Sequence, residues 1–97
     1  MELGAGLVYE GELTKKGDSY QIEGQGTLWY SDSSYYTGEF IGGKFHGAGK
    51  YYWADRGHWF EGYYKDNQRD GIGRYYYSEE EYDVGCWVGG KLIRKTA

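Results

Sequence analysis

The sequence predicts an all-β fold that is made of repeated β-hairpins around a thin core. A glycine recurs along the chain at intervals of 27, 24 and 23 residues, at Gly11, Gly38, Gly62 and Gly85. The 97 residues include 18 Gly, 13 Tyr, 4 Trp and no Pro, and this composition disfavours helices and favours strands joined by tight turns. A period of this size is typical of a repeat array, in which each unit buries its apolar face against its neighbours.

Each of the first three glycines is followed by a second glycine pair and then by strand-forming residues. The pairs lie at positions 24–26 (GQG), 47–49 (GAG) and 71–73 (GIG), before the segments TLWY, KYYW and RYYY. In the third unit, residues 60–65 predict a strand, residues 66–69 a turn and residues 70–77 the return strand. The second unit has the same pattern, with a turn predicted at 42–44.

The first and last units depart from this pattern. Gly11 and Gly24 are 13 residues apart, whereas the corresponding interval in the next two units is nine, so we expect residues 14–23 to form a hairpin turn with a four-residue insertion. After Gly90 no second glycine pair follows, and Asp83 stands where the other units have an aromatic residue. The sequence therefore predicts one domain, 1–97, with units at 9–30, 36–53 and 60–77 and a partial unit at 83–92. Residues 4–6 are either the remnant of an earlier unit or a flexible terminus.

Glycines and large aromatic residues fall on one face of the predicted strands, because side chains alternate between the two faces. A glycine in a strand often marks the close approach of another group. We therefore expect aromatic rings to lie over the glycines of a neighbouring strand and to form the core. The predicted core positions are Gly11, Tyr36, Gly38, Phe40, Gly47, Gly49, Phe60, Gly62, Gly71, Gly73 and Gly85.

The opposite face is predicted to carry a column of exposed aromatic residues at matching positions of successive units, Trp29, Tyr52 and Tyr76, with Tyr63 beside it. One interpretation is a groove for a partner peptide that is anchored by aromatic side chains; the other is that these rings only pack laterally over the strands. The same face carries the glutamates Glu10, Glu12, Glu39 and Glu61. These carboxylates favour a basic or amphipathic partner helix, although each alone is typical of a solvated surface.

The repeated motif resembles the MORN repeat (membrane occupation and recognition nexus). An aromatic residue two positions before a glycine, followed nine residues later by Gly-x-Gly-x-aromatic, occurs at 36–53 and 60–77. Residues 9–30 match it with an insertion and with Leu28 in the last position. The resemblance implies an elongated, single-layer, twisted array of antiparallel hairpins. It also implies a scaffold role in cytoskeletal or ciliary assemblies or at membrane junctions, where some family members hold a partner's helix in a groove and some dimerise.

The remaining residues argue against several other functions. The net charge of −4 disfavours nucleic acid as a partner. His46, His58 and Cys86 do not have the spacing of metal ligands, the glycine pairs lead into strands rather than into the helix that a phosphate site needs, and residues 79–81 lack a calcium-loop pattern. We therefore expect no metal, no cofactor and no enzymatic activity. A single cysteine and no signal peptide favour a cytoplasmic protein.

A protein-interaction scaffold is thus the function that we expect. A phospholipid-binding module is the first alternative, which the net charge and the lack of a basic face disfavour. A carbohydrate-binding module is a further alternative, because sugars stack on Trp and Tyr. Exposed terminal strands are templates for pairing, so the ends of the array offer a route to a homodimer or a larger assembly.

Overall fold

The computed structural model describes residues 2–96, which form a single antiparallel sheet of nine strands that pair in sequence order. The strands are Glu2–Gly4 (β1), Leu7–Lys16 (β2), Ser19–Trp29 (β3), Tyr35–Ile41 (β4), Lys44–Trp53 (β5), His58–Lys65 (β6), Gln68–Tyr76 (β7), Tyr82–Val88 (β8) and Lys91–Lys95 (β9). The extents of 48 × 24 × 17 Å describe an elongated single layer. The prediction of an all-β array of antiparallel hairpins is therefore confirmed.

Two-residue turns join β2 to β3, β4 to β5, β6 to β7 and β8 to β9, and longer segments connect these repeat hairpins to one another. Both turn residues have positive φ at Gly42-Gly43, Asp66-Asn67 and Gly89-Gly90, as a type I′ turn requires, and this turn has the twist of the strands that it joins. These turns are shorter than predicted, because Lys44 and Gln68 already belong to strands.

The prediction of a long turn at residues 14–23 was wrong. Both strands of the first hairpin continue through this segment, with Lys16 paired to Ser19 around Gly17-Asp18. The four additional residues are thus shared between two longer strands. The tip of this hairpin extends beyond the sheet, since Lys15, Lys16 and Tyr20 are exposed and the pairing of β3 with β4 ends at Gly24.

Both ends of the described chain are also more regular than predicted. The last unit is a whole hairpin, because β9 pairs with β8 although no second glycine pair is present. At the other end, a two-residue turn at Ala5-Gly6 connects β1 to β2. Residues 4–6 are therefore part of a hairpin.

A bulge in each of the first three repeat hairpins explains the first glycine of every pair. The register shifts between Gly38 and Phe40, so that Glu39 faces three residues of β5. Gly47 lies in this bulge with a φ of 69°, a conformation that favours glycine. The carboxylate of Glu39 accepts a hydrogen bond of 2.7 Å from the amide of Ala48. Gly24 and Gly71 occupy the equivalent positions of the other two hairpins.

The core lies on one face of the sheet and is mainly aromatic. Its buried members are Tyr9, Tyr36, Phe40, Phe45, Phe60, Tyr64 and Trp87. Tyr36 is fully buried; its ring stacks on Phe45 with centroids 3.9 Å apart. Its hydroxyl donates to the carbonyl of Glu39 at 2.9 Å. A Cβ atom at Gly49 would lie 2.5 Å from Cζ of Tyr36, so the glycine makes room for the ring, as predicted.

Each repeat hairpin tip from the second onward is hydrogen-bonded to the hairpin before it. The amide of Gly43 donates to the carbonyl of Ile22 at 2.9 Å, and that of Gly90 to the carbonyl of Arg69 at 2.9 Å. The amide of Asn67 donates the equivalent bond to the carbonyl of Phe45 at 3.1 Å. The side-chain Oδ1 of Asn67 in turn accepts a hydrogen bond from the amide of Phe45 at 2.9 Å. These bonds hold consecutive hairpins in one fixed arrangement.

Candidate partner-binding face

The face opposite the core carries a continuous row of six aromatic residues, one on each strand from β3 to β8. The strand register pairs them in succession, so that they lie side by side across the sheet. We call this set the aromatic row; its members are Trp29, Tyr35, Tyr52, Trp59, Tyr76 and Tyr82. The structure thus brings the predicted residues Trp29, Tyr52 and Tyr76 together.

Five rings of the aromatic row contact one another, as one pair and one group of three. Tyr35 and Tyr52 stack with centroids 5.4 Å apart, and Trp59 and Tyr76 stack at 4.9 Å. Tyr82 contacts Tyr76 at 5.0 Å. Such contacts contribute about 0.5–1.5 kcal/mol each beyond the burial of area. Packing therefore fixes the ring orientations, while the outer ring faces stay open to solvent to different degrees.

Sequence reasoning missed half of this row. Tyr35, Trp59 and Tyr82 each stand one residue before the position at which a repeat unit begins. In an alternating strand that one-residue offset places them on the face opposite the core. The signal was present in the sequence as an aromatic residue directly before Tyr36 and Phe60.

A row of charged residues runs beside the aromatic row on the same face, two residues away from it along each strand. In the strand register Lys50 lies opposite Glu61, and Glu61 lies opposite Arg74, on three consecutive strands. The ammonium group of Lys50 lies over the rings of Tyr35 and Trp59, at 5.8 and 5.3 Å from their centroids. These contacts hold the cation between two ring pairs.

The other two charges are also held by aromatic residues. The indole of Trp59 donates to the Glu61 carboxylate at 2.9 Å. The guanidinium of Arg74 lies over the Tyr82 ring at 5.3 Å, and its hydrogen bond to the Tyr76 hydroxyl raises the pKa of Arg74. The charged row is therefore preorganised, with the order positive, negative, positive.

A shallow open groove of about 850 Å³ follows the charged row across β4 to β8. Tyr76 of the aromatic row lies on one side of it, and Tyr63 and Ile72 lie on the other. Tyr63 and Ile72 are 56% and 66% exposed. Two apolar borders with charges between them are suited to an elongated amphipathic ligand.

The predicted glutamates have different surroundings. Glu61 lies in the groove. The carboxylate of Glu39 is used within its own hairpin, at the bulge, and that of Glu12 likewise accepts from the amide of Gln25 at 2.6 Å. Glu10 lies on β2, near one end of the array and outside the groove. The face is consequently less acidic toward a ligand than the count of carboxylates indicates.

The residues considered as metal ligands lie apart. Among residues 2–96 there is no group of three or more His, Cys, Asp or Glu side chains arranged to hold a metal ion. His58 lies on the core face, where its Nδ1 is 3.2 Å from the Tyr75 hydroxyl. Within the described residues there is also no helix with the length and hydropathy that a membrane crossing requires.

A one-layer sheet with one buried and one open aromatic face defines a hairpin-repeat protein with an extended open surface. The family model of the MORN repeat matches residues 20–35, 36–58 and 60–79, together more than half of the chain. The chain therefore belongs to the MORN-repeat family, as its motif predicted, and MORN repeats are in general protein- or membrane-interaction modules. A comparison with curated proteins gave no match.

Proposed function

We propose that this chain is a non-enzymatic scaffold that binds an amphipathic α-helical segment of a partner protein along its groove. The observation that carries the proposal is the aromatic row, which continues without interruption across six strands beside a preorganised row of charges. Soluble proteins rarely expose a long aromatic surface that has no ligand. Aromatic residues are also the side chains that most often dominate the energy of protein interfaces.

The dimensions of the row fit a short helix. Neighbouring strands lie about 4.8 Å apart, so six strands give the row a length of roughly 24 Å. An α-helix of about 16 residues has this length. A helix that lies across the strands would place its apolar side chains against the aromatic row and its polar side chains over the charged row.

The charged row specifies the polar side of that helix. Lys50 and Arg74 lie two strands apart, roughly 10 Å, which corresponds to about two helical turns. Two acidic side chains seven residues apart would therefore face these cations, and a basic side chain midway would face Glu61. This mixed pattern narrows the prediction of a basic or amphipathic partner helix to an amphipathic one, because Glu12 and Glu39 are hydrogen-bonded within their own hairpins.

The test is a triple variant, Trp29→Ser with Tyr52→Ser and Tyr76→Ser, used beside the wild type to capture partners from lysate for mass spectrometry. We expect the variant to keep its β-sheet circular dichroism and to lose the captured helix-containing partner. Tyr20→Ser is the matched control, because Tyr20 is 64% exposed and lies outside the aromatic row. Equal capture by the triple variant and the control would overturn the proposal.

A charge-reversal variant then tests the role of the charged row in partner binding. Lys50→Glu combined with Arg74→Glu should weaken binding of the captured partner more than tenfold, since each reversed pair would place two like charges together. In a parallel arm, flotation with anionic phospholipid vesicles examines a lipid surface as the ligand. Strong, salt-sensitive flotation that the triple variant retains would transfer the function to a membrane.

Two further parts of the proposal concern the setting. The family resemblance supports a place in a cytoskeletal or ciliary assembly, and the single cysteine supports a reducing compartment such as the cytoplasm. Fluorescence microscopy of the tagged protein in cells tests both parts of the proposal. Fluorescence outside the cells would contradict them.

A further inference from the structure

The core face has a cavity in the fourth hairpin, where one residue departs from the repeat pattern. Tyr9, Tyr36 and Phe60 occupy equivalent positions in the first three repeat hairpins, and each is at most 1% exposed. The fourth hairpin has Asp83 there. A cavity of about 320 Å³ adjoins this aspartate, with Trp87 and Leu92 among its lining residues.

The strand opposite Asp83 has changed in the same way. In the third hairpin, Gly73 pairs with Gly62 and makes room for the Phe60 ring, since a Cβ atom there would lie 2.7 Å from Cε1 of Phe60. In the fourth hairpin, Gly85 pairs with Lys95 instead. The aromatic ring and the glycine that accommodates it are thus both missing. Leu92 covers part of the vacated position, since a Cβ atom at Gly85 would lie 2.7 Å from its Cδ1, and the space beside Leu92 is open.

The cavity combines aromatic walls with positive charge. Tyr75, Tyr77 and Trp87 line it. The guanidinium of Arg69 lies over the Phe60 and Tyr75 rings at 5.7 and 6.0 Å. It is held there by a hydrogen bond of 2.6 Å to the carbonyl of Gly90.

The second guanidinium group that lines the cavity, that of Arg56, has fewer contacts. The nearest carboxylate to Arg56 is Asp55, at 3.9 Å, and both side chains are mostly exposed. The carboxylate in the cavity, Asp83, is already bound by Lys95 at 2.9 Å and by the Tyr77 hydroxyl at 2.7 Å. Two cations therefore face the cavity beside one carboxylate that is already neutralised, in a chain with a net charge of −4.

We propose that this cavity binds a planar aromatic ring that carries an anionic group, such as a carboxylate or a phosphate monoester. The ring occupies the part of the missing aromatic residue's space that Leu92 leaves open, beside Tyr75 and Trp87, and the anion meets Arg56 and Arg69. A volume of about 320 Å³ lies at the lower end of the range for ligand pockets, which suits one ring with a small substituent. This site is separate from the groove, because it lies on the opposite face of the sheet.

The test is titration of the ¹⁵N-labelled chain with phenyl phosphate and with phenylacetate, followed by amide and indole chemical shifts. We expect saturable shifts at Arg56, Tyr77 and the Trp87 indole. Neutral benzyl alcohol should bind at least tenfold more weakly. A short glycine–serine peptide that contains phosphotyrosine forms a third arm: tighter binding than phenyl phosphate identifies a modified protein as the source of the ring, and weaker binding identifies a free small molecule.

Two variants make the result decisive. Asp83→Phe restores the aromatic residue of the other hairpins, so it should fill the cavity and abolish the shifts. Arg56→Gln changes an exposed side chain and should weaken the anionic probes at least fivefold, whereas Asp55→Asn, its neighbour, should not weaken them. Unchanged binding to Asp83→Phe, equal binding of benzyl alcohol, or no saturable binding of either anionic probe would overturn the proposal.

Discussion

Replacing Gly49 by alanine examines the packing on which this fold depends. The added Cβ atom would lie 2.5 Å from Cζ and 2.6 Å from Cε1 of Tyr36. The ring has little room to move, because it is fully buried, stacks on Phe45 at 3.9 Å and meets Phe40 and Tyr64 edge-on at 5.1 Å. One methyl group should therefore cost about 3 kcal/mol, the upper end of the range for overpacked cores.

For a domain of this size, that loss corresponds to a fall in Tm of roughly 12–24 °C. Thermal and urea unfolding, followed by circular dichroism, measures it. Gly43→Ala is the matched control, because Gly43 has a φ of 78° and a Cβ atom there would meet no atom of the described residues within 4 Å. Its cost is the backbone strain alone, about 1–2 kcal/mol.

A double-mutant cycle identifies the cause. In a Tyr36→Leu background the ring is gone, so Gly49→Ala should cost less than about 1 kcal/mol, and the difference is the coupling between the two positions. If Gly49→Ala destabilises no more than Gly43→Ala, or if its cost is the same with and without the ring, the explanation of the glycine rhythm is refuted.

Two other predictions concern hydroxyl and carboxyl groups. Tyr64→Phe should stabilise the chain by about 1 kcal/mol, because the buried Tyr64 hydroxyl has no hydrogen-bond partner among the described residues. Tyr36→Phe should destabilise it by about 1 kcal/mol, because the hydrogen bond to the Glu39 carbonyl is lost. Urea midpoints that shift in the same direction for both variants would contradict this. Hydrogen bonds from Lys95 and then Tyr77 hold the pKa of Asp83 below its ordinary value. The stabilisation is therefore present above about pH 4 and is lost as the pH falls through the lowered pKa. Asp83→Asn should thus be less stable than the wild type at pH 7, and the difference should be smaller at pH 2. An unchanged difference at the two pH values would be incompatible with this ion pair.

The repeat, the strands and three of the seven buried core aromatic residues, Tyr36, Phe40 and Phe60, could be predicted from the sequence because glycine spacing and alternation are local signals. The extension of the first hairpin could not. The insertion has an even number of residues, four, so it can add two residues to each strand. Both this arrangement and a longer loop leave every later side chain on the same face of the sheet. Phe45 was missed as a core residue because the turn before it was expected to end one residue later than it does.

The candidate site was predicted only in part, for a different reason. Trp29, Tyr52 and Tyr76 share a position within the repeat, which the sequence shows directly. Their neighbours in the aromatic row come from the other strand of each hairpin or from the next hairpin. Placing Tyr35 beside Tyr52 requires the cross-strand register, and that register depends on a two-residue turn and a bulge whose combined offset no local pattern gives.

The hydrogen bonds of the hairpin tips give the array a direction of growth. The amides of Gly43, Asn67 and Gly90 each donate to a carbonyl that lies about 21 residues earlier in the chain, so each of these tips depends on the hairpin before it and not on the one after it. Loss of the last hairpin would leave all earlier tip amides bonded, whereas loss of the first would leave Gly43 without Ile22. Truncation from the two ends should therefore differ, with faster amide hydrogen exchange at Gly43 only when the first hairpin is removed.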